Sequence, residues 1–186
     1  MAYYIGQFCG LLTTACSLFM PFLKKKWQLL CANIAINALV ILNLVLIGQF
    51  GSGSYLCMVA IVQSVIALFR VKKETEVSTK ETIIFTILYV GFGFFGIFTA
   101  PGFVMAVNFK NLLELLPILG ALAQMVSVFV RDEQATRKWI LCNAIFWVIY
   151  SGFVGSTVVI TDSLTAISCC TALYKYRKNK PKKTAP

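Results

Sequence analysis

The sequence predicts an all-α integral membrane protein: seven transmembrane helices in a 3+1+3 arrangement, two parallel three-helix repeats joined by a linker helix. Three observations lead there. Hydrophobic residues make up 59% of the 186 and charged residues 13%, against about 25% charged in a soluble domain. Residues 1–23, 27–69, 82–107 and 140–160 contain no Lys, Arg, Asp or Glu. These stretches suit helices of about 20 residues rather than barrel strands of about 10. The third observation is an internal repeat, described below.

Breakers and charges punctuate seven spans at 3–23, 27–50, 54–70, 82–100, 111–130, 139–156 and 158–176. The first has no basic stretch before it and no small-residue cleavage site, so it reads as a retained helix rather than a signal. Lys24, Lys25 and Lys26 separate it from the second, which runs to the turn Gly51-Ser52-Gly53-Ser54. Arg70 ends the third. The mixed-charge segment 71–81 then reads as a cytoplasmic linker, and Pro101-Gly102 closes the fourth helix. Pro117 lies inside the fifth and predicts a bend at Leu113 to Leu116, because proline lacks an N–H and crowds the preceding turn. The organisation expected is a first repeat over 1–73, linker and linker helix over 74–110, a second repeat over 111–178 and a basic tail over 179–186.

Charge sets the expected orientation. Sixteen of the 17 basic residues fall on one side of the predicted spans, in the loops at 24–26, 70–80 and 131–138 and in the tail; Lys110 alone falls on the other. The positive-inside rule then places the N-terminus outside and the C-terminus in the cytoplasm. The net charge of +10 is thereby topological, and nucleic acid is not an expected partner. The seven cysteines lie in apolar stretches without metal-ligand spacing, and the chain has no His, so neither a metal nor a cofactor is expected.

The repeat shows in Gly10-Leu11-Leu12-Thr13-Thr14-Ala15-Cys16-Ser17-Leu18-Phe19 set against Gly120-Ala121-Leu122-Ala123-Gln124-Met125-Val126-Ser127-Val128-Phe129. Both copies continue into Lys-Trp, at Lys26-Trp27 and Lys138-Trp139. Cys31 and Asn33 follow in one copy, Cys142 and Asn143 in the other. Ala67-Leu68-Phe69-Arg70 matches Ala172-Leu173-Tyr174-Lys175. Three-helix units separated by one helix keep the same direction in the membrane, so the repeats are parallel. Parallel repeats build transporters with a site between the halves, although a duplicated scaffold has the same signature.

Candidate site residues are the polar and aromatic groups inside the spans. Asn143, Trp147 and Tyr150 share a helix face with Trp139 and Phe146, a surface able to stack a flat solute and bond its edge. Trp139 beside Lys138 reads better as an interfacial aromatic. Asn33 and Asn37 stand one turn apart in the first repeat, with Asn43 rotated off their face, and Asn33 occupies a place near-equivalent to Asn143. The alternative for all these amides is ordinary interhelical bonding. Glu114, Pro117 and Asp162 are expected at the outer mouth as gating groups. The plain reading is an acid near a helix N-terminus, and Lys110 is spaced to pair with Glu114.

The segments Glu114-Leu115-Leu116-Pro117-Ile118-Leu119-Gly120, Trp147-Val148-Ile149 and Gly155-Ser156 resemble the YgjV-type bacterial inner-membrane protein family. That family is grouped with the SWEET and PQ-loop superfamily. The resemblance implies the bacterial inner membrane, a SWEET-like fold and, by analogy, small-solute transport. It does not extend to sugar as substrate: Ile118 follows Pro117 in place of the Gln of a PQ pair. Gln63, Ser64, Ser168 and Cys169 stand where sugar transporters place Asn and Trp.

No catalytic set is present, so an enzyme is not expected. The expected function is a facilitator working by alternating access between the two bundles. The competing class is a receptor or assembly scaffold of the same fold. Expected partners are a small solute, membrane lipids and further copies of the chain.

Overall fold

The computed structural model describes residues 1–19, 26–73, 78–103, 108–129 and 133–178. Among them eight helical segments follow in order, with no strand: α1 (Ala2–Phe19), α2 (Lys26–Leu46), α3 (Ser52–Lys73), α4 (Thr79–Thr99), α5 (Phe109–Leu113), α6 (Leu115–Phe129), α7 (Glu133–Val154) and α8 (Val158–Lys178). Segments α5 and α6 are one helix interrupted at Glu114, inside the stretch that Pro117 was expected to bend. Four helices are long and apolar enough to cross a bilayer: Trp27–Leu46, Ser52–Val71, Thr79–Thr99 and the joined Phe109–Ser127. The expected helix ends at 23 and 130, the bases Lys24, Lys25 and Arg131, and the tail 179–186 lie outside the described residues.

Helix ends differ from the sequence reading where local caps act. Helix α2 stops at Leu46 rather than residue 50, because Gly48 takes a left-handed φ of 77° and the Gln49 N–H turns back to the Leu44 carbonyl at 2.8 Å. Helix α7 stops in the same way. Gly155 has φ 73°, and the Ser156 N–H reaches the Ser151 carbonyl at 2.9 Å. Helix α4 starts at Thr79, three residues before the expected 82, because Ser78 and Glu81 form a reciprocal capping box. Glu81 also forms an ion pair with Arg70 at the end of α3. Helix α7 begins at Glu133, so Arg137 and Lys138 belong to its first turns rather than to a loop.

Successive helices run antiparallel, which gives the bundle two ends. One collects the turns at Gly48, Gly51, Gly102 and Gly155 and is called here the glycine end; the other, carrying Arg70, Lys80, Arg137 and Lys138, is the basic end. Helix α1 packs on α2, α2 on α3, α6 on α7 and α7 on α8. Two further contacts close a ring of six, α3 against α6 and α1 against α8, while α4 lies outside it against α3 and α6. One apolar core, of Leu56, Val59, Phe85, Tyr89, Ile97, Ile118, Ala121 and Met125, joins α3, α4 and α6. The other, of Val40, Leu44, Cys57, Tyr150 and Val158, lies inside the ring.

Candidate functional site

The ring is closed by two hydrogen-bonded junctions at the glycine end, and they have the same design. At the α3–α6 contact the Glu114 carboxylate accepts the Ser52 backbone N–H at 2.8 Å. The Ser52 hydroxyl lies 2.7 Å from both the Glu114 carbonyl and its carboxylate. At the α1–α8 contact the Gln7 amide oxygen accepts the Thr157 backbone N–H at 2.9 Å, and the Thr157 hydroxyl donates to the Gln7 carbonyl at 2.7 Å. In each case one side chain supplies the acceptor that a helix N-terminus lacks, and the helix start returns a hydroxyl. Glu114 also brings charge to the positive end of the α3 dipole.

A buried polar residue backs each junction. Tyr150, with no exposed surface, donates to Glu114 at 3.4 Å, and the Gly53 amide faces the same hydroxyl. Asn43, also without exposed surface, donates to the Gly6 carbonyl at 2.7 Å and accepts from the Ser156 hydroxyl. Gln7 and Glu114, Asn43 and Tyr150, Gly48 and Gly155 are each 107 residues apart. This spacing of 107 differs from the 110 that separates the matching segments at Gly10 and Gly120 in the sequence. The two differ by about one helical turn, a displacement at which apolar stripes still coincide.

Glycines let the backbones meet here. A Cβ on Gly51 would sit 2.6 Å from the Glu114 carboxylate, and one on Gly10 would sit 2.1 Å from the Thr157 hydroxyl oxygen. Below the junctions, the apolar plug around Cys57 and Tyr150 fills the ring. On α2, α3 and α7 burial then thins toward the basic end, while Phe85 of α4 and Met125 and Ser127 of α6 stay buried there. Among the described residues none is buried over 27–39, 65–73 or 134–143, and an open cleft of about 450 Å³ lies between Trp27, Cys31, Leu68 and Val71.

The predicted site residues take the following places. Asn33 donates to the Ser64 hydroxyl at 2.8 Å, bridging α2 to α3, and Asn37 donates to the Asn33 carbonyl at 2.8 Å. Asn143 donates to Gln124 on α6 at 3.3 Å, so Asn33 and Asn143 serve different helix pairs. Trp147 and Asn143 both lie over Gly120, where a Cβ would meet them at 3.0 Å. Trp147 stands edge-on to Tyr150, with ring centroids 5.8 Å apart. Pro117 is fully buried beneath Glu114. Glu114 itself is 4% exposed and forms no ion pair with Lys110, whose ammonium lies instead beside Gly102. Asp162 is half-buried, with the Ser151 hydroxyl at 3.4 Å.

The sequence reading brought Tyr150 and Glu114 into view but left out Gln7, Ser52, Ser156 and Thr157. The available signal was the recurrence of Gly-Ser at 51–52 and 155–156, each opening a helix.

No curated protein and no solved structure matches the chain. A family model described as "Bacterial inner membrane protein" matches residues 4–180, nearly the whole length. With its apolar helices and that match, the chain belongs to the Imp-YgjV family of bacterial inner membrane proteins.

Proposed function

We propose that this protein is a small-solute facilitator in which two parallel three-helix repeats rock about a central path. In this reading α1–α3 form one repeat and α5/α6–α8 the other, all seven helices span the membrane, and α4 is the linker outside the symmetry. The observation that carries it is the pair of matched junctions. At the glycine end both contacts that close the ring are hydrogen-bonded around a helix start, while below it α3 and α6 share an apolar core and α1 bonds α8 again through Thr14 and Thr161. In this reading the hydrogen-bonded glycine end is the closed side of the carrier, and the less buried basic-end segments of α2, α3 and α7 line the open one. Its partners are then the solute and the surrounding lipid, with no chemical step.

Purified protein in proteoliposomes, tested with labelled amines, amino acids, nucleosides and sugars, provides the check. At least one solute should equilibrate faster than in protein-free vesicles. Its uptake should be saturable, and an imposed proton gradient of either sign should not drive accumulation. Accumulation that follows the gradient would replace the facilitator with a coupled carrier. Absence of flux across the panel, with monomeric folded protein, would favour the receptor or scaffold.

The basic asymmetry supports placing the glycine end outside. A cysteine at Pro101 should react with an impermeant maleimide in intact cells, and one at Thr79 only after permeabilisation. Both positions are exposed. The reverse pattern would invert the orientation and leave the junctions unchanged.

A further inference from the structure

The cleft at the basic end has walls from two neighbouring helices. Trp27 and Cys31, one turn apart, form its α2 side, and Leu68 and Val71 form its α3 side. Leu68 stands one turn beyond Ser64, which bonds Asn33, so the α3 wall is turned to α2. Cys31 precedes Val40 of the plug by nine residues, about two and a half helical turns, which puts it on the side of α2 away from the plug. Trp27 and Cys31 are both exposed. The cleft therefore opens to the surrounding membrane and not into the ring.

Its depth is set by the spans. Trp27 is the first residue of the apolar stretch Trp27–Leu46 and Val71 the last of Ser52–Val71, so the mouth lies at the boundary between hydrocarbon and headgroups. An indole belongs at that level. From there the walls run one turn inward, to Cys31 and Leu68, around a hollow of about 450 Å³.

Charge gathers at the same rim. In the chain Lys24, Lys25 and Lys26 directly precede Trp27, and Lys72 and Lys73 directly follow Val71, so covalent continuity keeps each within three residues of a wall. No Asp or Glu occurs in residues 1–73; the first acids, Glu74 and Glu76, come in the linker. Arg70 differs from these lysines, because it pairs with Glu81. The positive-inside rule accounts for bases on this side of the membrane but not for an apolar hollow between them. An occupant that suits both has an apolar chain for the walls and an anionic group at the rim.

We propose that this cleft binds one anionic phospholipid from the leaflet at the basic end, with an acyl chain between Trp27, Cys31, Leu68 and Val71 and the phosphate at the lysine-rich rim. The inference goes beyond the carrier reading and does not depend on it.

The test uses purified full-length protein in a non-ionic detergent, with dioleoylphosphatidylglycerol as the probe. Dioleoylphosphatidylcholine, which has the same chains and no net charge, and inorganic phosphate are the comparisons. Cys31 on α2 and Cys170 on α8 are both exposed, so two proteins, each retaining one of them as its sole cysteine, report local shielding from N-ethylmaleimide. Phosphatidylglycerol should raise Tm saturably and slow labelling at Cys31 by at least about fivefold, while changing that at Cys170 by less than about twofold. Phosphatidylcholine and phosphate should do neither. Lys72→Gln combined with Lys73→Gln should weaken the response by about tenfold or more, as expected when two bases near a phosphate are lost. Leu68→Trp, which fills the hollow and keeps the charge, should abolish the Tm shift, and it keeps the test decisive if the lysine variant does not fold. Equal protection by phosphatidylcholine would show a cleft without preference for charge, and equal slowing at Cys170 a general effect of the lipid surface; either overturns the site. A response to phosphate alone, or an undiminished Tm shift in both variants, would overturn it too. None of these readouts measures flux, so the lipid site and the carrier reading fail separately.

Discussion

Replacing Glu114 with alanine is expected to open the glycine end. The substitution leaves the Ser52 backbone N–H and the Tyr150 hydroxyl without their acceptor, both in buried positions. An orphaned buried donor costs about 1–3 kcal/mol, and each 1.4 kcal/mol is a factor of ten in an equilibrium. The α3–α6 junction should therefore separate at least about tenfold more often. Cys57 is a native reporter, because it is 4% exposed and sits in the plug beside Tyr150 and Val158. In protein retaining Cys57 as its sole cysteine, Glu114→Ala should raise the rate of maleimide labelling by that factor. Glu114→Gln should change it by less than about threefold, since Gln7 makes the equivalent bonds without charge in the other half. Labelling that stays slow in Glu114→Ala would show that the junction does not hold the end closed. Equal opening in both variants would show that charge, not the hydrogen-bond pattern, does the holding.

The second large effect concerns Gly96. A Cβ there would lie 2.5 Å from the Ser52 Cα and 2.8 Å from its nitrogen, so the obstacle is backbone and cannot rotate away. Gly96→Ala must push α4 from the start of α3, the segment that meets Glu114. Overpacking of this kind costs about 1–3 kcal/mol, or roughly 2–12 °C in Tm for a chain of this size. Gly91, earlier on the same helix, is different: a methyl group added there would meet nothing within 4 Å. Gly91→Ala should then be neutral or stabilising by up to about 1 kcal/mol, from helix propensity. A similar loss in both variants would mean that α4 tolerates no side chain at either position, and the close approach at Ser52 would not be the cause.

The helices were legible because lipid imposes length and apolarity on each span, and charge-free stretches report both directly. Their ends at the glycine end were less so. Residue 52 begins α3 because a carboxylate 62 positions later in the chain accepts its N–H, and no local pattern contains that partner. The same limit hid Gln7 and Thr157, ordinary polar residues whose role exists only when α1 meets α8. Pro117 and Glu114 were conspicuous in sequence as breaker and intramembrane acid. What could not be read was that Glu114 turns toward Ser52 and Tyr150 rather than toward Lys110. The sequence match between the two halves has an offset of 110 and the hydrogen-bonded pairs one of 107, a difference that arises because apolar positions recur every turn and allow a match displaced by one.

The α1–α8 junction also constrains how the protein is made. Its bonds join residues separated by 147 to 150 positions, so α1 receives this partner only after α8 has been made. Until then Gln7, Thr14 and the Gly6 and Gly10 surface of α1 face lipid or a chaperoning insertase, and α1 is held by α2 alone. The ring therefore cannot close until α8 docks on α1. A chain stopped before α8 keeps α1 to α7 and lacks the contact that closes the ring.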